Sequence, residues 1–277
     1  MGTLYLVPTP IGNLEDMTFR AVETLRTVDL IAAEDTRNTA KLLNHFEIHT
    51  PQESFHEHNT QEKLPKLLSH LRAGKSLAQV SDAGMPSISD PGHELVEAAI
   101  TENIPVVALP GASAGITALI SSGLSPQPYT FYGFLPRKKQ QQIDFLKEIV
   151  HRPETQIFYE SPLRLSATLS NLTEVYRPHR QVCLVRELTK IYEEYRRGTL
   201  EELLSDLTAH PAKGECLLIV AGEDGKALSN LTDADKTPLE AVKQQIAEGA
   251  KPNDAIKDVA RLYGINRQEL YANYHGL

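Results

Sequence analysis

Ser81-Asp82-Ala83-Gly84-Met85-Pro86-Ser87-Ile88-Ser89-Asp90-Pro91-Gly92 is the stretch whose reading decides the fold. An apolar run, Ser76 to Val80, leads into it, and a helical pattern, His93 to Asn103, leads out. Two prolines lack a backbone donor and two glycines favour unusual dihedrals, so the stretch is a shaped loop at the end of a strand. Open α/β sheets bind ligands at such strand ends.

The same alternation extends in both directions. Upstream, Thr3 to Val7, Asp29 to Ala33 and Thr50 to Ser54 read as strands. Helices start after Thr18, run through Leu42, Leu43 and Phe46, and span Glu62 to Arg72. Downstream, strand Pro105 to Leu109 ends at Pro110-Gly111-Ala112-Ser113-Ala114-Gly115, followed by helix Ile116 to Ser122. Alternating strands and helices imply a mostly parallel open sheet with helices on its faces. A proline-rich connector, Gly123 to Pro128, closes this first domain, residues 1–125.

Residues 126–222 read as a second α/β unit, less clearly all parallel. Its expected strands are Tyr129 to Phe134, Gln156 to Tyr159, Gln181 to Arg186, an extended charged run Ile191 to Arg197, and Glu215 to Ala221. Helices are expected over Gln140 to Val150, Leu163 to Leu172 and Leu200 to Leu207. A polar linker, residues 223–236, leads to a helical tail, residues 237–277. There Pro238 to Glu248, Asn253 to Tyr263 and Arg267 to Tyr274 read as helices, with Gly249 and Gly264 as their C-caps. Ala255, Val259, Ala260, Ile265 and Leu270 fit the apolar spacing of a helix-turn-helix. A three-helix unit that only packs would use the same spacing.

The chain of 277 residues, 41% apolar, can bury two cores. No apolar run approaches the roughly 18 residues of a membrane span, and the N-terminus reads as a strand rather than a signal peptide. Cys183 and Cys216 sit in apolar runs and read as buried thiols in a reducing, cytoplasmic compartment. A disulfide between adjacent strands is the alternative. Net charge is −8, against a wholesale nucleic-acid binder. The excess is local: residues 1–125 hold 8 basic and 15 acidic side chains, whereas residues 236–277 hold 6 and 5. The later parts can therefore contact phosphate.

Four strand ends carry short, small-residue loops: Pro8 to Asn13, Glu34 to Asn38, Ser81 to Gly92 and Pro110 to Gly115. Such loops meet along one sheet edge and form a cleft. The first lacks the G-x-G-x-x-G fingerprint, which argues against a dinucleotide held by the usual pyrophosphate contact. His56-Glu57-His58 has no third ligand at clear spacing and reads as a loop, so no metal is expected.

The combined pattern resembles the tetrapyrrole methylase superfamily, and within it the ribosomal RNA small subunit methyltransferase I family. The matching stretches are Leu6 to Asp16, Ala33 to Arg37, the Ser81 loop, Leu109 to Ala114, Phe131 to Arg137 and Phe158 to Arg164. The Pro-Thr-Pro-Ile-Gly-Asn first loop departs from tetrapyrrole-modifying members and agrees with the ribosomal branch. The resemblance implies S-adenosylmethionine in a cleft between two α/β domains. It also implies 2′-O-methylation of a cytidine ribose in 16S rRNA, which would give the tail structured RNA to dock, and a homodimer. Cofactor contacts carried over by position are Ile11, Gly84, Met85, Ile88, Gly111, Ala112, Ser113, Ala114, Glu160 and Leu188. Met85 stands where many superfamily members have aspartate.

Glu34, Asp35, Glu160 and Glu187 are the candidates for a general base, and none is chosen. Asp35 equally suits a helix N-cap, and Glu160 and Glu187 equally suit pairing with Arg164 or Arg186 across the cleft. Arg37, Arg137, Lys138, Arg164, Arg186, Lys190 and Arg267 are candidates for holding RNA, or else belong to a solvated face. Two other functions use the same residues: a small-molecule tetrapyrrole methyltransferase, which leaves the tail without a role, and a non-catalytic RNA-binding protein.

Overall fold

The computed structural model describes residues 1–88, 92–223, 237–247, 250–263 and 265–275. Ser89, Asp90 and Pro91 of the quoted loop, linker residues 224–236 and the expected caps Gly249 and Gly264 lie outside the described residues.

In chain order the first lobe runs β1 (Leu4–Leu6), α1 (Phe19–Thr27), β2 (Leu30–Ala33), α2 (Thr36–His45), β3 (Gln52–Ser54), α3 (Thr60–Arg72), β4 (Leu77–Val80), α4 (His93–Thr101), β5 (Val106–Ala108) and α5 (Ala114–Ser122). Its sheet is entirely parallel, in the order β3-β2-β4-β1-β5. The central strand β4 is buried along its whole length, as its apolar run requires when helices cover both faces. Leu25, Ile31, Ala78 and Val80 fill one face beneath α1 and α2. Phe55, Leu67, Leu71, Leu77 and Leu95 fill the other beneath α3 and α4. Local chemistry sets the helix starts. The Thr18 hydroxyl accepts from Ala21 N at 3.1 Å to begin α1, and the Asp35 carboxylate accepts from Arg37 N at 2.8 Å to begin α2.

The second lobe runs β6 (Tyr129–Phe134), α6 (Lys139–Ile149), β7 (Thr155–Glu160), α7 (Leu165–Val175), β8 (Gln181–Arg186), β9 (Glu194–Thr199), α8 (Leu200–Ala209) and β10 (Cys216–Val220). Its sheet order is β6-β7-β10-β8-β9. Only β6 and β7 are parallel; the other three pairings are antiparallel. The extended run expected from Ile191 starts later, at Glu194. Glu187 and Thr189 adopt positive φ, and Lys190 N and Glu193 N bond back to Glu187 O and Lys190 O. This turn leaves Ile191 and Tyr192 exposed ahead of the strand.

One helix departs from the sequence reading. α5 follows a first-lobe strand, but its Ala118 and Leu119 pack against Ile157, Val185 and Ile219 of the second sheet. Arg197 ties it down, donating to Ser121 O at 2.6 Å and Ser122 O at 3.0 Å. α5 is therefore a strut between the lobes. The opposite face of the second sheet is covered by α6, α7 and α8.

Cys183 and Cys216 are free and buried. Cys183 lies opposite Ile219, three residues from Cys216, so the two thiols point to opposite sheet faces and cannot be bridged. The tail forms α9 (Pro238–Ala247), α10 (Pro252–Tyr263) and α11 (Arg267–His275). Val242, Ala255, Ile256, Val259, Ala260 and Leu270 make its core. Ile265, expected inside, is 37% exposed. Arg177, just past α7, pairs with Asp258 of α10 at 2.6 Å. Among the described residues no helix is long and apolar enough to cross a membrane.

Candidate functional site

Parallel pairing puts the ends of β1, β4 and β5 on one edge of the first sheet. The turns that follow them meet there. Thr9 and Gly84 exchange backbone hydrogen bonds, each at 3.0 Å, which staples the turn after β1 to the quoted loop. Gly84 has φ +79, and a Cβ built on it would lie 3.3 Å from the Ile11 side chain. Glycine is needed both for the left-handed backbone and for the close approach.

These turns form one wall of a cavity of about 520 Å³. From the first lobe come Ile11, Gly84, Met85, Ile88, Ser113 and Ala114. From the second come Glu160 and Leu188. Eight of the ten residues expected at a cofactor thus border one space. Gly111 and Ala112 do not line it. Gly111 packs against Pro8, and the Ala112 carbonyl faces Gly84, so both shape the turns behind the wall.

The sequence reading missed Phe134, Tyr159, Pro162 and the segment Gly214 to Leu217, which complete the second wall. β10 runs antiparallel to β7, so its N-terminal end lies beside the C-terminal end of β7. A search for strand C-termini passes over it. The signal was Gly214 directly before an apolar strand. Cys216 contributes an inert lining: burial pushes its thiol up to about 11.

The four candidate bases are all engaged within the protein. Asp35 caps α2 and also takes both Arg37 Nε and Nη2; these bonds hold its carboxyl down at about 2. It does not line the cavity. The Glu34 carboxylate accepts from Asp82 N at 3.1 Å. Glu187 accepts from Glu215 N at 2.9 Å and from Lys190 Nζ at 3.0 Å, which lowers its pKa. Its partner is thus Lys190 and not Arg186, which binds Glu194 instead. Glu160 does line the cavity. It is 3% exposed and accepts from Ser161 N at 2.8 Å and from the Thr168 hydroxyl at 2.6 Å. Arg164 stands 3.4 Å away, on the same lobe and not across the cleft.

The candidate RNA contacts divide the same way. Arg164 donates to Leu135 O and Pro136 O, Arg186 to Lys213 O and Glu194, and Lys190 to Glu187 and Glu215. Burial opposes the charge of Lys190, but its two carboxylate partners outweigh that and raise its pKa. Arg37 is exposed but held by Asp35. Arg137, Lys138 and Arg267 face solvent. His56 to His58 begin a 3-10 turn, Glu57–Asn59, in which His56 N donates to Asn59 Oδ1. Among the described residues no group of three potential ligands gathers.

The cavity fits a sulfonium donor. Its wall is largely apolar and small, and the charged described residues lining it, Glu160 and Glu215, are both carboxylates. A cationic, methyl-bearing centre is favoured by negative charge in a site of low dielectric.

A parallel sheet and a mixed sheet joined by a strut helix, with strand-end turns walling a cleft, define an α/β protein of the tetrapyrrole-methylase class. Residues 3–204 match the tetrapyrrole (corrin/porphyrin) methylase family. A uroporphyrin-III C-methyltransferase from Thermus thermophilus, solved with S-adenosyl homocysteine, superposes with TM-score 0.56 at 19% identity, covering 80% of this chain and 98% of its own. A diphthine synthase gives TM-score 0.61 at 13% identity, covering 80% and 90%. Similarity is far higher to proteins named ribosomal RNA small subunit methyltransferase I. The Streptococcus pyogenes serotype M1 protein is 64% identical over 100% of this chain and 96% of its own length. The Bacillus subtilis protein is 47% identical over 99% and 94%. The chain belongs to the ribosomal RNA small subunit methyltransferase I family.

Proposed function

We propose that this protein transfers a methyl group from S-adenosylmethionine to the ribose 2′-oxygen of a cytidine in 16S rRNA. The carrying observation is one cleft bordered by turns from distant parts of a chain that matches its family over its whole length. The three chain segments 1–125, 126–222 and 237–277 act in this reading as donor-binding lobe, closing lobe and RNA-facing tail. S-adenosylmethionine supplies an electrophilic methyl on a positively charged sulfur.

Ile11, Gly84, Met85, Ile88, Ser113 and Ala114 hold the donor from one side and Glu160 and Leu188 from the other. The ribose oxygen attacks in line; the C–O bond forms as the C–S bond breaks, and the hydroxyl proton passes to water. The four carboxylates considered as bases are already hydrogen-bonded, so the chain accelerates transfer by positioning the ribose oxygen in line with the methyl. Orientation of this kind supplies on the order of 7–11 kcal/mol at best. Arg137, Lys138 and Arg267 contact RNA phosphate. The protein works as a cytoplasmic homodimer on the small ribosomal subunit or its RNA.

Tritium transfer from labelled S-adenosylmethionine into small-subunit RNA tests this reading, with naked RNA and assembled subunits compared. Mass mapping of the product must find the label on a cytidine ribose. No incorporation into either substrate overturns it.

A further inference from the structure

A second cavity, of about 330 Å³, abuts the first. Ile11, Ala83 and Glu215 border both. The rest of its wall differs in chemistry. Among the described residues the donor cleft is charged by carboxylates alone, whereas here both signs meet. Asn38 Nδ2 donates to Asp82 Oδ2 at 2.9 Å, and Lys41 Nζ donates to Asn38 Oδ1 at 3.3 Å. The Asn38 amide is thereby fixed, with its oxygen toward the lysine and its nitrogen toward the carboxylate. The other Asp82 oxygen accepts no hydrogen bond from a described residue. Thr39 also lines the space; it is 4% exposed, and its hydroxyl has no partner among the described residues. On the opposite side Lys190 crosses Gly12 so closely that a Cβ there would lie 2.6 Å from its Cγ. None of Asn38, Thr39, Lys41 or Asp82 lines the donor cleft.

We infer that this second cavity receives the acceptor nucleoside and that Asp82 recognises an exocyclic amino group on its base. The inference rests on the methyl-transfer reading above and adds which residue chooses the base. Its volume lies at the small end of ligand sites and suits a single nucleoside. A base enters such a space only after leaving its stack, as in sequence-specific recognition of single-stranded RNA. Asp82 is open to solvent until a base covers it. Once covered, its free oxygen needs a donor, because an unsatisfied buried carboxylate is costly. The cytosine 4-amino group supplies that donor, a pairing seen wherever carboxylates read cytosine. Uracil would present a carbonyl to the same oxygen and leave two acceptors facing each other. Lys41, exposed at the rim, sits where a flanking phosphate can take its charge. With the base held there, the ribose lies toward Ile11 and Ala83, the border with the donor cleft, and its 2′-oxygen meets the methyl at that border.

The test uses the full-length protein and small-subunit RNA that differs only at the mapped target position, cytidine or uridine. Wild type should methylate the cytidine form with the higher kcat/KM. Asp82→Asn should lower kcat/KM for cytidine roughly tenfold or more and remove most of the preference over uridine, since an amide can turn either edge to the base. Affinity for S-adenosyl homocysteine, measured by calorimetry, should stay within about twofold. Lys41→Ala should raise KM several-fold and weaken its salt dependence, with the cytidine-to-uridine ratio unchanged. An Asp82→Asn enzyme that keeps the wild-type ratio and rate overturns the inference, as does one that loses S-adenosyl homocysteine affinity, which would place Asp82 in the donor site. If wild type binds no donor or labels no RNA, the broader reading has failed and this one with it. If wild type does both and the variant is unchanged, the assignment of the second cavity alone is wrong.

Discussion

The two walls of the cleft are built on different principles. The first-lobe wall is backbone: turns of small residues, held by the paired Thr9 and Gly84 amides, come close because side chains are missing. The second-lobe wall is side chain: Glu160 and Glu215 line it, and their hydrogen-bond sets, which reach Lys190 in the adjoining cavity, settle where each charge lies. A backbone wall tolerates almost no added volume but contains little that titrates. A side-chain wall tolerates changes of volume and fails when one member of a set is removed. Substitutions should therefore separate the two walls by the kind of damage they do.

The largest effect is expected at Gly84. Gly84→Trp places a large side chain at φ +79 against Ile11, inside the cavity. Donor binding should be lost, with S-adenosyl homocysteine giving no calorimetric signal. The strained backbone costs about 1–3 kcal/mol, so circular dichroism should still show a folded chain with a lower melting point. Unchanged affinity would mean that the donor does not touch this wall.

On the other wall, Thr168→Val keeps the volume and removes the hydroxyl that donates to buried Glu160. Leaving that carboxylate oxygen only its longer, 3.4 Å contact with Arg164 should cost about 1–3 kcal/mol in urea unfolding of the full chain. A loss below about 0.5 kcal/mol would show that the oxygen finds another partner. Lys190→Met should do less, about 0.5–1.5 kcal/mol, because Glu187 retains the Glu215 amide and Glu215 itself is largely exposed. The Glu187 carboxyl should titrate higher in that variant, and carbon-detected NMR of the side chain can follow it.

The same contrast explains how much the sequence disclosed. Four strand-end loops could be placed because every strand of the first sheet runs the same way, so each strand's C-terminal end lies on one edge. Proline, glycine and small residues after apolar runs mark those ends in any such sheet. The second sheet obeys no such rule. β10 turns its N-terminal end to the cleft, and nothing in Gly214 to Leu217 states which neighbour it will pair with. Helix α5 was misplaced for a related reason: its apolar residues show that it packs, but not on which sheet. The partner choices of Arg186 and Lys190 depend on the tight turn at Glu187 to Glu193, which two non-glycine residues at positive φ make hard to foresee.

The smallest effect separates the charge of a cap from its shape. Asp35 begins α2 beside the first wall, and its bonds to Arg37 pull its carboxyl from an ordinary 3.8 to about 2. A carboxyl depressed on folding adds stability that is fully present above its unfolded value and fades as pH falls through its folded value. Asp35→Asn keeps an oxygen for the Arg37 amide and removes the charge together with the second acceptor for Arg37 Nη2, so most of the cap survives. Above about pH 4 the variant should unfold at a slightly lower urea concentration than wild type. Between pH 4 and pH 2 the two midpoints should converge, because wild type loses there what the variant never had. Convergence below pH 2 is the sign of charge acting at a solvent-facing site. A gap independent of pH would show instead that asparagine fails to reproduce the cap, and Asp35 would then join the first wall as a purely geometric element.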